Sequence, residues 1–151
     1  MANEVEKQLN DELLSLLKKE RFVTVATIDH ESNAPNVNAI SWIYAPNSET
    51  IRFSIDSRSR TIQDIRVCNK ITVNVIGNGS IYAISGEATI LQDTMKDIPL
   101  KLSLVEIHIS EVRDVMFYGS KISVDPQYEK TYDAAAAEKL DSQVLKALKE
   151  D

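Results

Sequence analysis

The sequence predicts a mainly β protein, a small antiparallel barrel of about six strands with flanking helices. Short runs of alternating apolar and polar residues recur through the middle of the chain, with turn-forming clusters between them. Apolar residues at helical spacing occur near the two ends and once in the middle. The chain has 151 residues, the size of one ordinary domain that buries its own core. We therefore expect a single domain over residues 1–151.

Helices are predicted at both ends of the chain. Asn3 followed by Glu6 resembles a capping box, and leucines recur at helical spacing beyond it, so the first helix is expected over about residues 4–19. A run of four alanines and an apolar stripe predict the last helix over about residues 133–149. A third, short helix is expected to begin near Thr61.

The strands are predicted from residues that alternate in polarity. Gly86 lies inside the longest run, where it predicts a bulge or a bend. On the second strand, Ile40, Trp42 and Tyr44 are expected to share one face, because side chains alternate along a strand. The six predicted strands are Phe22–Ile28, Val37–Tyr44, Ile51–Ile55, Ile71–Val75, Ile81–Ile90 and Val105–Ile109.

Composition excludes several classes of function. A formal net charge of −6 opposes binding to DNA or to an anionic membrane. A single cysteine, Cys68, excludes an intrachain disulfide framework and a cysteine-based zinc site. The N-terminus is acidic, and no apolar run approaches the roughly 18 residues of a membrane span. We expect a soluble, cytoplasmic protein.

The segment from Ser57 to Thr61 concentrates two guanidiniums and three hydroxyls between a predicted strand and a predicted helix. Unpaired N–H groups and the dipole at a helix start favour anions, and arginine adds bidentate donors. This pattern is typical of a site for a phosphate monoester. The alternative is an ordinary loop in which Ser59 caps the helix and both arginines are solvated.

Other polar residues give weaker indications. His30 is expected in a turn and His108 on a strand, and neither has the spacing of a metal site, so no metal is assigned. Asp29, Glu31 and Asp56 are interpreted as turn residues. The residues alone identify no catalytic group.

The order of short motifs along the chain carries a resemblance to a known family. The motifs are Ala26–Asp29, Pro35, Asn38–Trp42, Phe53–Ser54, Ser59–Thr61, Asn69–Ile71 and Ser85–Ala88. In this order they resemble the pyridoxamine 5'-phosphate oxidase-like, FMN-binding split-barrel family, in particular its general stress protein-like branch. The resemblance implies a six-stranded split barrel that forms a homodimer, with FMN bound at the subunit interface.

The same resemblance implies roles for residues in two parts of the chain. One strand would border the isoalloxazine ring, and the turn before the central helix would bind the phosphate, with Arg58 as a helper. Relatives often carry an Arg where Asn38 stands and a cation where Thr61 stands, so two positive charges are absent here. The implied cofactor-binding residues are Asn38, Ala39, Ile40, Ser41, Ser54, Arg58, Ser59, Arg60 and Thr61.

The resemblance further implies an FMN-dependent oxidoreductase with an unknown small-molecule substrate. It does not imply pyridoxamine phosphate oxidation, because Ile43 stands where the vitamin oxidases usually carry a substrate-contacting Lys and an Arg-rich C-terminal segment is absent. The alternatives are a noncatalytic flavin-binding or stress-related protein, and a deazaflavin or another phosphorylated cofactor in the same cleft. A cofactor-free barrel that binds a protein partner also remains open.

Overall fold

The computed structural model describes residues 5–150, which form eight strands and three helices. The central helix and the last helix lie where the sequence predicts them. The strands are β1 (Val5–Glu6), β2 (Val23–Ile28), β3 (Pro35–Ile40), β4 (Ile43–Asn47), β5 (Thr50–Asp56), β6 (Lys70–Gly77), β7 (Ser80–Gln92) and β8 (Leu102–Asp114), and the helices are α1 (Asp11–Leu16), α2 (Arg60–Val67) and α3 (Ala134–Lys149).

All of the strands belong to one antiparallel sheet, in the order β3-β2-β6-β7-β8-β5-β4, and β1 pairs with β8. The two outer strands of this order, β3 and β4, are joined in the chain by Ser41 and Trp42 alone. The sheet must therefore curl until its two edges lie near each other. This confirms the predicted antiparallel β architecture with flanking helices.

Two apolar clusters stabilise the fold. The first fills the inside of the sheet, with Phe53, Val25 and Val73 fully buried, and the second packs α3 against the opposite side of β4 and β5. Ile40 contacts the first cluster, whereas Trp42 and Tyr44 contact the second, so the predicted common face of these three residues is wrong. The second cluster consists of Met95, Leu102, Leu104, Val144 and Leu148 with their half-buried neighbours.

The N-terminal helix is shorter than predicted. Its cap is Asn10, whose side chain accepts a hydrogen bond from the N–H of Leu13 at 2.8 Å, while Asn3 and the predicted start near residue 4 lie outside the described residues. Residues 5–6 are extended and pair with β8. The prediction of a helix over residues 4–19 is wrong here, because a strand contact and a later cap compete with leucine spacing.

The predicted strand over residues 37–44 is two strands in the structure, since the chain bends at Ser41 and Trp42. The Ser41 hydroxyl donates to the Glu20 carboxylate across 2.6 Å, and the Trp42 indole N–H donates to Asp141 across 2.8 Å. Both acceptors come from distant parts of the chain, which is why alternation of polarity could not reveal the bend. With β1, this break raises the strand count from six to eight.

The predicted irregularity at Gly86 is confirmed. The register between β7 and β8 shifts between Ser85 and Gly86, and a Cβ at Gly86 would lie 2.1 Å from the His108 carbonyl oxygen. Only a residue without a side chain fits this close approach of two strands.

None of the helices within residues 5–150 combines the length and the apolar character that crossing a membrane requires.

Candidate functional site

The turn before α2 contains both the Ser59 helix cap and the unpaired N–H groups that the sequence predicts as alternatives. Ser59 caps the helix by accepting a hydrogen bond from the N–H of Ile62 at 3.3 Å. The amide N–H groups of Arg60 and Thr61, in the first turn, have no acceptor among the described residues. A capped helix start with free N–H groups is compatible with an anion as an additional partner.

Arg60 is the first residue of α2, and its guanidinium already contacts two carboxylates. Its Nε and Nη2 donate to the carboxylate of Asp29, and Nη2 lies 3.5 Å from a carboxylate oxygen of Glu31. The Arg60 side chain is 52% exposed, and its Nη1 has no hydrogen-bond partner within residues 5–150. One side of the guanidinium is therefore occupied, and the other is open to a ligand.

The Asp29 carboxylate is held firmly. It accepts hydrogen bonds from the N–H and the hydroxyl of Ser32, at 2.9 and 3.0 Å, and from the N–H of Glu31 at 3.2 Å. The hydrogen bond from Arg60, followed by those from Ser32, lowers the pKa of Asp29 well below its usual value. Asp29 is thus a turn residue, as the sequence predicts, and it also fixes Arg60.

Arg58 points to a different partner. Its guanidinium pairs with Asp56 at 3.2 Å, and its backbone N–H donates to the same carboxylate at 2.8 Å. The side chain is 83% exposed, so this pair is weakly held. Arg58 remains free to reorient, but the structure does not join it to Arg60.

A neutral pair, Asn38 and Thr61, occupies the two positions where the family resemblance implies cations. Thr61 is fully buried, and its hydroxyl accepts a hydrogen bond from the side-chain amide of Asn38 at 2.9 Å. The pair joins β3 to the first turn of α2. It adds no positive charge to the turn.

A buried carboxylate completes the link between α2 and the β2–β3 hairpin. Asp64 is fully buried and accepts from the Thr27 hydroxyl at 2.7 Å, the Asn36 amide at 2.9 Å, and both the backbone N–H and the ring Nδ1 of His30 at 2.8 Å. Burial raises the pKa of Asp64, but these hydrogen bonds outweigh it and lower the pKa overall. Asp64 therefore stays charged inside the protein.

The sequence does not single out Asp64, because the donors that fix it come from β2, from β3 and from the turn between them. In the structure it follows the buried Thr61 by three residues on α2, so both lie on the buried face of the helix. Ligand atoms of Asp29, His30 and Asp64 lie within 4.8 Å of one another. Their oxygens are already occupied by the donors described above, so we assign this cluster a structural role.

The remaining predicted residues are spread along β3 and β5. Ala39 is exposed, Ile40 is half-buried, and Ser41 contacts Glu20 at the far end of β3. Ser54 is buried, and its hydroxyl donates to the thioether of Met95 at 3.1 Å. The structure thus brings Asn38, Ser59, Arg60 and Thr61 together. Ser54, by contrast, contacts Met95.

Two open hollows border the site. One, of about 380 Å³, lies between Arg60, Asp29 and Asn36. The other, of about 340 Å³, lies on the outer face of β2, β6 and β7 and is lined by small side chains such as Ala26 and Ser85. Pro35 lines both hollows, so they adjoin at the start of β3.

Comparison with known proteins identifies similar sequences and folds. The family model described as pyridoxamine 5'-phosphate oxidase matches residues 9–116. HupZ of Group A Streptococcus is 16% identical with a TM-score of 0.60, over 77% of this chain and 99% of that one. An F420 reductase is 15% identical with a TM-score of 0.58, over 69% and 98% of the two chains.

General Stress Protein 26 of Bacillus anthracis str. Sterne is 13% identical with a TM-score of 0.53, over 69% of this chain and 97% of that one. At these identities, the three solved structures show a shared fold. No curated protein matches the sequence.

Proposed function

Because the chain belongs to the pyridoxamine 5'-phosphate oxidase family, we propose that it binds a flavin cofactor, FMN, with the phosphate at Arg60 and the isoalloxazine ring along β3. The observation that carries this proposal is the open side of Arg60. Its Nη1 and the amide N–H groups of Arg60 and Thr61 lack partners among the described residues. A guanidinium and free N–H groups at a helix start are the donors that a phosphate monoester needs.

The donors fit a phosphate, but the surrounding charges make the site a weak one. Arg60 is shared by Asp29 and Glu31, and the Asn38–Thr61 pair supplies no cation. A phosphate that carries nearly two negative charges at neutral pH would meet little net positive charge here. We therefore expect weaker binding of FMN than in a relative with cations at both positions, unless Arg58 leaves Asp56 and joins the ligand.

The outer face of the sheet supports a homodimer with the flavin at the subunit interface. Val37 is 57% exposed, and it lies opposite Ala26, while Ala39 lies opposite Thr24. Residues directly opposite in an antiparallel pair project from the same face, so β2 and β3 present a surface of small and aliphatic side chains. The hollow that is lined by Ala26, Ser85 and Pro35 borders this surface, and a second copy of the chain would close that hollow over a bound ring.

FMN would supply the hydride or electron transfer of a flavin-dependent oxidoreductase acting on a small molecule. The chain would hold the phosphate, orient the ring and exclude water through the dimer contact. Ile43 is fully buried, so it does not replace the substrate-contacting Lys of the vitamin oxidases. Pyridoxamine phosphate is therefore not the substrate that we propose.

A noncatalytic flavin-binding protein is the second candidate, and one observation favours it. At the end of β3, Ser41 donates to Glu20, and Glu20 also accepts from Lys130. These groups satisfy one another and are not poised as a general acid or base. Turnover with a nicotinamide reductant separates an oxidoreductase from a protein that only stores or senses flavin.

The proposal is tested with purified protein. A flavin spectrum in the visible range, or a rise in Tm with excess FMN, is expected, because a ligand that binds only the native state stabilises it. Light scattering should give the mass of a dimer. Protein that is colourless, gains no stability from FMN and stays monomeric would contradict it.

A further inference from the structure

We propose that the two carboxylates that share Arg60 affect phosphate binding in opposite directions. Asp29 is a positioning residue that aims the guanidinium, and Glu31 is a competitor that the phosphate must displace. This inference rests on the proposed binding of FMN.

Asp29 contacts one side of the guanidinium. A guanidinium has five N–H donors in a planar fork, so it can bind one anion through Nε and Nη2 and a second through its outer end. Asp29 takes the first of these, which leaves Nη1 and the outer N–H of Nη2 for a ligand. The two anions can therefore be bound at once.

Asp29 is also rigid enough to fix the direction of Arg60. Its side chain is only 7% exposed, and three donors from Ser32 and Glu31 hold the carboxylate within the hairpin turn. The Arg60 side chain, by contrast, is long and half-exposed, and binding would otherwise cost the entropy of ordering it. A preoriented guanidinium avoids that cost when the phosphate binds.

Glu31 is more exposed than Asp29, and its carboxylate is held less firmly. Its side chain is 70% exposed, and its carboxylate contacts Arg60 Nη2 at 3.5 Å and His30 Nε2 at 3.4 Å. These distances are long for charge-assisted hydrogen bonds, so the carboxylate is held loosely. It is the second carboxylate at Nη2, which already donates to Asp29, so a phosphate that uses the remaining N–H of Nη2 would compete with Glu31.

The two residues allow a matched test, since Asp29→Asn and Glu31→Gln each remove one negative charge beside the same guanidinium. If only the local charge mattered, both variants would bind phosphate more tightly. If Asp29 positions Arg60, the two variants change the affinity in opposite directions. The sign of the effect thus separates the two accounts.

The experiment titrates the wild type and both variants with FMN and with riboflavin, which lacks the phosphate. The ratio of the two affinities reports the phosphate contribution, whereas changes in ring binding cancel. We expect Glu31→Gln to raise this ratio about threefold and Asp29→Asn to lower it about fivefold or more, within the range of a charge-assisted hydrogen bond. The Tm of each ligand-free protein records any structural effect separately.

Two outcomes with these variants would overturn the inference. A ratio that rises in both variants would make Asp29 a second competitor, and a ratio that changes in neither would remove both roles.

If Asp29→Asn does not fold, Ser32→Ala replaces it, because this change loosens Asp29 without changing the charge. The ratio should then fall about twofold, and an unchanged ratio would count against positioning.

Failure of the proposed function is distinct from these results. If the wild type binds neither FMN nor riboflavin, the flavin site itself is wrong and the inference is rejected with it. If the wild type binds both with equal affinity, Arg60 does not hold the phosphate, and neither carboxylate has the proposed role.

Discussion

The side-chain amide of Asn38 donates a hydrogen bond to the hydroxyl of Thr61 across 2.9 Å, between β3 and the first turn of α2. The family resemblance implies cations at both of these positions. Here Asn38 and Thr61 contact each other, so they form one neutral pair. The pair keeps the turn beside β3 while lowering its attraction for anions.

The Asn38–Thr61 pair should show coupling in a double-mutant cycle. Thr61→Val leaves the Asn38 amide without its partner, and Asn38→Ala leaves the buried Thr61 hydroxyl without a donor, so each should lower the free energy of unfolding by about 1–2 kcal/mol. The double variant should lose about 1 kcal/mol less than the sum. Urea denaturation measures all four proteins, and strict additivity would contradict the contact.

Asp64 should be the most sensitive polar position on α2. Asp64→Ala would leave the Thr27 hydroxyl, the Asn36 amide and the His30 donors without their acceptor, which is expected to cost about 3–5 kcal/mol of unfolding free energy. Asp93→Ala is the control, because its pair with Arg66 is exposed and should cost less than about 1 kcal/mol. Equal losses in the two variants would show that the Asp64 hydrogen bonds do not support the fold.

Acid should destabilise the protein through its paired carboxylates. The pKa values of Asp29, Asp56 and Asp64 are lowered from their usual 3.8, mainly by Arg60, by Arg58 and by the buried hydrogen bonds, respectively. The unfolded chain then binds more protons, so the stability from these groups is present above about pH 4 and lost as pH falls through the folded pKa values.

The measurement is the free energy of unfolding at a series of pH values below 5. Arg60→Ala should flatten the profile, because the pKa of Asp29 returns toward its usual value when its largest cause is removed. If the free energy of unfolding falls as steeply with decreasing pH in Arg60→Ala as in the wild type, the pairing of Arg60 with Asp29 is contradicted.

Lys130 should hold the segment between β8 and α3, residues 115–133, to the barrel. Its ammonium lies 2.7 Å from Glu20 and 3.2 Å from Asp141, and Asp141 also accepts from the Trp42 indole. Lys130→Met removes these contacts, so the segment should become more sensitive to protease and the emission of Trp42, the sole tryptophan, should shift to the red. Lys139→Met, at an exposed position on α3, should change neither property. If both variants behave alike, Lys130 does not fasten the segment.

The fold was largely predictable because its signals are local. Alternation of polarity in β2, β5 and β6, the glycine in β7 and the alanine run of α3 each act within a few residues. The break after β3 was not predictable, since Ser41 and Trp42 are held by Glu20 and Asp141 from distant parts of the chain. The short first helix was missed for the same reason, because Val5 and Glu6 pair with Arg113 and Val112, which are far away along the chain.

The sequence indicates where a candidate anion site lies, but it does not reveal the balance of charge around it. The composition of the Ser59–Thr61 turn and the order of motifs indicated an anion site. That Asp29 and Glu31 share Arg60 depends on how the β2–β3 hairpin folds over α2, and no spacing in the sequence encodes that contact. The buried Asp64 was hidden similarly, because its four donors come from three separate elements or turns.

Titration of FMN and riboflavin into the wild type, Arg60→Ala and Arg66→Ala tests the central claim most directly. Arg60 and Arg66 lie on the same helix, both pair with carboxylates and are similarly exposed, at 52% and 54%, so Arg66→Ala controls for the loss of a half-exposed arginine from α2. We predict that Arg60→Ala lowers the affinity for FMN about tenfold or more and leaves riboflavin unaffected, while Arg66→Ala changes neither. Equal FMN affinity in all three proteins, or equal losses for FMN and riboflavin, would contradict a phosphate site at Arg60.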